Sequence, residues 1–278
     1  MRKLRITALA AFGVLAITAV AIAAQVNVYG VTASTSPTKA GTVKKPVPTE
    51  VNFNYTVDEQ DGKRPAAVKK YSIFFKGLNV NTAVYKKACT ADQINASGDP
   101  AQIDPKGAGD EDDQAKACPS GSQVGAGFIR ATVGPDSDET SDGLYCKQYL
   151  KLYNGGKNKL TLFLYAYTPP GGGFAQEGDD YCVVNFGKAI AAKYVKKNGG
   201  TAVEFDVPST VLHNVPGTTT AVRVVESKIF KKTRKISGKT RGYYESVGGC
   251  KNKKREVSVT FTPESGAAQT KKTTAKCS

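Results

Sequence analysis

Cys118-Pro-Ser-Gly-Ser-Gln-Val-Gly-Ala-Gly-Phe-Ile-Arg-Ala-Thr-Val133 decides how the rest of this chain is read. A half-cystine and a proline open it, small residues form a loop, and Val124-Gly-Ala-Gly127 reads as a turn feeding an alternating strand with Ile129, Ala131 and Val133 on one face. The stretch pins a loop to the start of a sheet. Its glycines invite comparison with a phosphate-cradling loop, but no Lys-Ser or Lys-Thr follows and no helical pattern opens after them.

The same alternation recurs on both sides. Val51, Phe53, Tyr55 and Val57 alternate with Asn52, Asn54 and Thr56, the period of a half-buried strand, and Tyr71, Ile73 and Phe75 repeat it. Downstream, Cys146, Gln148, Leu150 and Leu152 alternate with Lys147, Tyr149 and Lys151. Leu160, Leu162 and Leu164 then alternate with Thr161, Phe163 and Tyr165, and Asn154-Gly-Gly between the two runs signals a hairpin. Residues 189–197 fit a helical turn or a strand equally well. Further strands are expected over 181–186, 202–207, 221–230, 242–247, 256–262 and 268–277. With no long helical pattern and no fixed repeat, the chain reads as all-β: a disulfide-stapled antiparallel β-sandwich of about 10–12 strands, jelly-roll connectivity being one arrangement of it.

Six cysteines supply the staples: Cys89, Cys118, Cys146, Cys182, Cys250 and Cys277. None forms a Cys-x-x-Cys pair, so closely spaced thiolates for zinc or redox chemistry are missing and an oxidising compartment is implied. Six half-cystines allow fifteen pairings. Sequential pairing is expected, Cys89 with Cys118, Cys146 with Cys182 and Cys250 with Cys277, each closing a loop worth roughly 3 to 4 kcal/mol.

The first residues fit the same compartment. Arg2, Lys3 and Arg5 precede an uncharged run rich in Ala, Val, Ile and Leu, and Ala21-Ile22-Ala23 offers the small-x-small pattern of signal peptidase. Residues 1–23 are therefore expected to be a cleaved export signal, with an uncleaved anchor as the competing reading and no stable membrane span after cleavage. Residues 24–49 read as an edge strand followed by a connector rich in Pro, Lys and Thr that cannot bury enough apolar area to order itself. Residues 50–278 form a single β domain, interrupted by an acidic surface loop over 90–117.

The strand and turn motifs resemble those of a group of secreted β-rich proteins of high-GC Gram-positive bacteria. The likeness rests on Cys118-Pro-x-x-Ser-x-Val-Gly-x-Gly, on Tyr71-Ser-Ile-Phe-Phe-Lys-Gly-Leu, on Phe205-Asp-Val-Pro-Ser-Thr-Val-Leu and on Gly242-Tyr-Tyr-Glu-Ser-Val-Gly-Gly-Cys250 followed by Val257-Ser-Val-Thr-Phe-Thr. It implies export and a β fold, brings no activity with it, and leaves the acidic insertion as the part where this chain departs most.

Charge is large and unevenly placed. The 278 residues carry a formal +15, which becomes +12 without the three basic residues of the export signal. Residues 186–278 hold nineteen basic and six acidic side chains, whereas residues 99–142 hold ten acidic and three basic. Lys231, Lys232, Arg234 and Lys235, with Lys253, Lys254 and Arg255, are the candidate anion-binding groups. Export argues against nucleic acid, so anionic cell-envelope polysaccharide or wall polymer is the partner they imply.

Catalytic chemistry finds little support. His213 is the single histidine, sits in a proline-flanked corner and lacks a Gly-x-Ser-x-Gly elbow to accompany it, so a loop-tying role is expected. No catalytic residue and no metal site is assigned, and no cofactor is expected. Calcium at Asp110-Glu-Asp-Asp113 is the one metal the composition suggests, without the spacing of an EF-hand. Paired carboxylates for glycoside hydrolysis are available among Glu204, Asp206, Glu226, Glu245 and Glu256, although the absence of tryptophan removes the usual sugar-stacking platform. The leading expectation is an exported, non-catalytic protein with a structural or interaction role at the cell surface or in the medium. The alternatives are a binding module for anionic polymer and a carbohydrate-active enzyme.

Overall fold

The computed structural model describes residues 26–97, 117–138, 141–168, 173–176, 178–179 and 181–278. The expected export signal and residues 98–116 of the acidic loop, with the calcium candidate at 110–113, lie outside them. Strands β1 (Asn27–Ser36), β2 (Val47–Pro48), β3 (Glu50–Glu59), β4 (Val68–Lys76) and β5 (Leu78–Val80) precede a short helix α1 (Ala91–Ala96). Then come β6 (Gln123–Pro135), β7 (Leu144–Asn154), β8 (Lys159–Ala166), β9 (Phe186–Lys197) and β10 (Gly200–Asp206), a one-turn helix α2 (Ser209–Leu212) and β11 (Thr218–Ile229). The chain ends with β12 (Thr233–Ile236), β13 (Lys239–Gly242), β14 (Tyr244–Ser246), β15 (Cys250–Lys251), β16 (Lys254–Pro263) and β17 (Gln269–Lys276).

Twelve strands form one antiparallel sheet in the order β1-β3-β11-β6-β7-β8-β9-β10-β4-β16, with β15 and β17 both paired to β16. The sheet curls until its two ends approach. Tyr29 of β1 stacks on Phe261 of β16 with ring centroids 4.0 Å apart, and Gln269 Nε2 donates to the Asn27 carbonyl at 3.3 Å. Among the described residues no hydrogen-bonded ladder joins β1 to β17, so side chains close the seam. The all-β antiparallel expectation holds, and its two layers are opposite walls of a single, nearly closed sheet. A three-stranded sheet, β2-β14-β5, caps one end.

Alternation explains most of the wall. Val51, Phe53, Tyr55 and Val57 are all buried, as are Tyr71 and Phe75. Residues 189–197, ambiguous from their pattern, extend as β9 between β8 and β10, where Ala192 and Tyr194 enter the core. A bulge between Val222 and Val224 shifts the register of β11 against β6, so that Thr220 and Val222 before it and Val225, Ser227 and Ile229 after it all line the interior. One extra residue keeps the apolar face inward on both sides of the bend.

β7 and β8 are covered on their outer face as well. Tyr149, Tyr153, Phe163 and Tyr165 are buried beneath the Cys89–Cys118 bridge and Ala91 and Ile94 of α1. A capping box between Thr90 and Gln93 starts α1, Thr161 Oγ1 donates to the Cys89 carbonyl at 2.8 Å, and Asn95 exchanges two hydrogen bonds with the Ala189 backbone, each at 2.9 Å. The tyrosines therefore form a second core.

The three bridges join Cys89 to Cys118, Cys146 to Cys182 and Cys250 to Cys277, the sequential pairing. Two other expectations need correction. Val124-Gly-Ala-Gly127 is not a turn into a strand, because Gln123 and all four of its residues already lie in β6. The Pro/Lys/Thr-rich connector is not free: β2 pairs with β14, Ala40 N donates to the Ser278 carbonyl at 2.7 Å, and Gly248 N donates to the Ala40 carbonyl at 2.9 Å. Its low apolar content hid partners about 200 residues away or more, which supply backbone hydrogen bonds instead of apolar burial.

A sheet of twelve strands is wider than its side chains fill, as larger barrels enclose cavities. Between Ile73, Leu152, Leu162, Ile190, Val211 and Tyr244 an internal cavity of about 120 Å³ remains.

Candidate functional site

Strand direction gathers the positive charge at one pole. Ile229 pairs with Val51 and Gly125, Gly200 with Lys76, Phe75 with Val257, and Lys254 with Lys276. The ends of β4, β9, β11 and β17 and the starts of β3, β6, β10 and β16 thus share one end of the barrel. The β12–β13 hairpin leaves from it, exposing Lys231, Lys232, Arg234, Lys235 and Lys239. The β15–β16 turn adds exposed Lys251, Lys253 and Lys254 at the same end. Asn252 and Lys253 of that turn take left-handed backbone conformations, with φ of 52° and 58°.

Sequence patterning had marked both clusters without showing that they meet at one pole, and it missed two further contributors. The connector brings Lys39, Lys44 and Lys45, all exposed, to this end through its contacts with Gly248 and Ser278. Lys86 and Lys87 follow β5, and Asn154 Nδ2 at the end of β7 holds the Lys87 carbonyl at 3.0 Å. Between Tyr85, Lys86, Lys87, Gly121, Lys232 and Thr233 the surface forms a hollow of about 290 Å³. The Lys-Lys doublets at 44–45 and 86–87 were the available signal, but only strand topology tells which doublets become neighbours.

Two acids of this pole are engaged, whereas Glu256, next to Lys254 and Arg255 in β16, is only half-buried. Glu50 lies 3.5 Å from Lys228 Nζ. Glu245 is fully buried and accepts two hydrogen bonds from Arg241, from Nε and Nη2, both at 2.6 Å, with a third from Gly242 N at 3.0 Å. That pairing holds the Arg241 guanidinium above its ordinary pKa and fixes the turn from β13 into β14. Carboxylates of the described residues collect at the other pole instead, where Glu59, Asp61, Asp136, Asp206 and Glu264 lie at strand ends and turns.

One candidate anion contact is withdrawn by the structure. Arg255 is fully buried; its Nη2 donates to Ser246 Oγ and to the Gly248 carbonyl. Desolvation lowers its pKa, and among the described residues no carboxylate pairs with it. It braces the segment carrying Ser246 and Gly248 and offers nothing to a surface ligand. Its place in a Lys-Lys-Arg run concealed this, since the alternation of β16 turns Arg255, Val257 and Val259 inward together.

The catalytic candidates are dispersed. Glu204 accepts from Lys197 Nζ and Ser72 Oγ, and these partners hold its carboxyl below the usual range. Asp206 lies 3.7 Å from Lys70. Glu226 borders an outer-face hollow with Asn52, Asn54, Phe128 and Lys228, and it is the single carboxylate among the described lining residues, where glycoside hydrolysis uses two. Among the described residues no three His, Cys, Asp or Glu side chains are grouped to hold a metal.

His213 ties the acidic pole. Its Nδ1 lies 3.1 Å from the Thr218 carbonyl and its Nε2 3.2 Å from Glu264 Oε1, so it bridges the corner after α2 to the end of β16. Burial alone would lower its pKa, but the bonds to Glu264 and Thr218 and the charges of Glu264 and Asp136 outweigh it and raise the value above 6.5. A folded-state pKa above the unfolded one makes this contribution complete below about pH 6.5 and progressively lost as pH rises through the folded value. Denaturant titrations at pH 5.5 and 8.5 are expected to show a stability decrement in the native sequence that shrinks in His213→Asn. An unchanged decrement would assign the pH dependence elsewhere.

Among the described residues no helix is long and apolar enough to cross a membrane. Compared with family models, with curated proteins and with solved structures, the chain matches none.

Proposed function

We propose that this chain is an exported, non-catalytic β-barrel protein whose basic pole binds anionic polymer of the cell envelope. Export is supported by the leader-like first residues and by three disulfides, which persist in oxidising compartments. The observation that carries the binding function is the convergence of the β12–β13 hairpin, the β15–β16 turn, the connector and the Lys86–Lys87 segment on one end, where Glu50 and Glu245 are already paired. A concentrated field of one sign raises the local concentration of polyanions and falls away over about 8 Å at physiological salt. A polymer with closely spaced phosphates or carboxylates engages several of these lysines at once, whereas a small anion meets only one or two.

The test is retention on purified wall fragments and on immobilised polyphosphate at 20 mM and 500 mM salt. Strong retention at low salt and loss at high salt are expected. Reversing Lys231, Lys232, Arg234 and Lys235 to Glu is expected to weaken retention by roughly tenfold or more, because these groups project from the hairpin into solvent. For a control matched in net charge, Lys231→Glu with Lys232→Glu is compared with Lys69→Glu with Lys70→Glu at the opposite pole. Salt-insensitive retention, or equal losses in the two variants, would defeat the assignment.

A further inference from the structure

The outer face of the wall carries a second candidate site, chemically unlike the basic pole. Strand register sets Asn54 of β3, Glu226 of β11, Phe128 of β6 and Tyr149 of β7 side by side in one row across four neighbouring strands. In the next row, Ala126 lies between Lys228 and Lys151. Alternation turns both rows outward, while Val225 and Ile129 beside them face the interior. Ala126 has only a methyl group between two long lysine side chains, and the two rows enclose a hollow of about 430 Å³.

The cations around this hollow are already met. Lys228 Nζ lies 3.5 Å from Glu50, Lys147 Nζ sits 5.2 Å from the ring centroid of Phe128 and 5.3 Å from that of Tyr149, and the Arg130 guanidinium lies 4.8 Å from the Phe128 centroid. Lys151 is buried and engaged. Glu226 differs: it is exposed, and among the described residues nothing donates to its carboxylate or pairs with it. Beside it, Asn54 Oδ1 accepts from Ser227 N at 3.4 Å, and its Nδ2 has no partner among the described residues. The hollow thus presents a two-oxygen acceptor, an amide donor about one strand spacing (roughly 5 Å) away, and the half-buried ring of Phe128 on the other side.

This set of groups selects against ions. An anion meets the Glu226 carboxylate, and a cation meets Lys228, Lys147 and Arg130. The complementary ligand is uncharged, with hydroxyls that both donate and accept and with an apolar C–H face, which is the chemistry of a sugar ring. Hydroxyls donating to an ionised carboxylate make the stronger kind of hydrogen bond. A single carboxylate is enough to hold a sugar, whereas cleaving a glycoside uses two.

We propose that this hollow binds one neutral sugar ring, whose adjacent hydroxyls donate to Glu226 and accept from Asn54 Nδ2 while its C–H face lies against Phe128. Binding is non-covalent and does not depend on the basic pole.

Amide NMR titrations of the disulfide-intact protein with D-glucose, D-mannose, D-galactose, L-arabinose and N-acetyl-D-glucosamine test this, in 500 mM salt to screen the field of the pole. Saturable shifts at Phe128, Glu226 and Ser227 and at the Asn54 side-chain amide are expected with at least one of them. Glycerol, an acyclic polyol, should leave these signals in place. Glu226→Gln keeps the size and exposure of the side chain and is expected to weaken binding by about tenfold, the difference between a charged and a neutral acceptor. Phe128→Ala should abolish it. Reversing Lys231, Lys232, Arg234 and Lys235 to Glu should leave sugar binding unchanged, so failure here and failure of polymer retention are separate results. No saturable shift with any of the five sugars, or an equal response to glycerol, would overturn the inference, and full affinity in Glu226→Gln would overturn the role of the carboxylate.

Discussion

Reducing the three disulfides is expected to unfold this protein under otherwise native conditions. The bridges close loops of 29, 36 and 27 residues, and the chain-entropy model assigns each about 3.5 to 4 kcal/mol. Together they amount to about 11 kcal/mol, comparable with the whole stability of an ordinary domain. Their positions add to this. Cys89–Cys118 clamps α1 over the outer tyrosines, Cys146–Cys182 holds the segment before β9 against β7, and Cys250–Cys277 ties the last strand to the β15–β16 turn. Thermal unfolding with and without reductant checks the expectation, and single Cys-pair replacements by Ala apportion it. A melting temperature that moves by only a few degrees on complete reduction would show that the sheet holds without its staples.

Gly127→Ala is expected to cost about 3 kcal/mol, more than most single substitutions. The cause is space rather than backbone freedom, since Gly127 lacks a left-handed φ. A Cβ there would lie 2.1 Å from the Glu226 carbonyl oxygen and 2.8 Å from Ser227 Cα, both of them backbone atoms of β11. Relief requires parting β6 from β11 in the centre of the sheet. Gly125 is similarly placed, 2.3 Å from the Lys228 carbonyl. Gly121→Ala is the informative contrast: its φ is +83° but nothing lies within 4 Å, so only conformational strain of about 1 kcal/mol is expected. Urea midpoints of the two variants decide the matter. Equal losses would mean that the close approach of β6 and β11 is not what these glycines serve.

Much of the fold was legible because it is written locally. Period-2 alternation marks β3, β4, β7 and β8, Asn154-Gly-Gly marks their hairpin, and each half-cystine pairs with the next in sequence. What escaped is set by distant partners. The glycines of β6 read as a turn because their crowding comes from β11, about 100 residues later. Arg255 read as surface charge because its neighbours Lys253 and Lys254 are exposed, yet the strand face it occupies points inward. The basic pole was half legible: its hairpin and turn are dense in Lys and Arg, but their convergence with Lys44, Lys45, Lys86 and Lys87 depends on strand order.

Strand order also constrains when the protein can fold. β3 finds its inner partner β11 about 170 residues downstream, with Val51 opposite Ile229, and β4 finds β16 still later, with Phe75 opposite Val257. Contact order is therefore high, and the loop-closure entropy of these pairings must be met before they reward the chain. An N-terminal fragment lacking the last sixty residues has β1 and β3 without their wall and the interior open along one side. Folding is correspondingly slow and waits on the C-terminal strands. Until they arrive the polypeptide is expected to stay extended, the state that the export proposed for it would require.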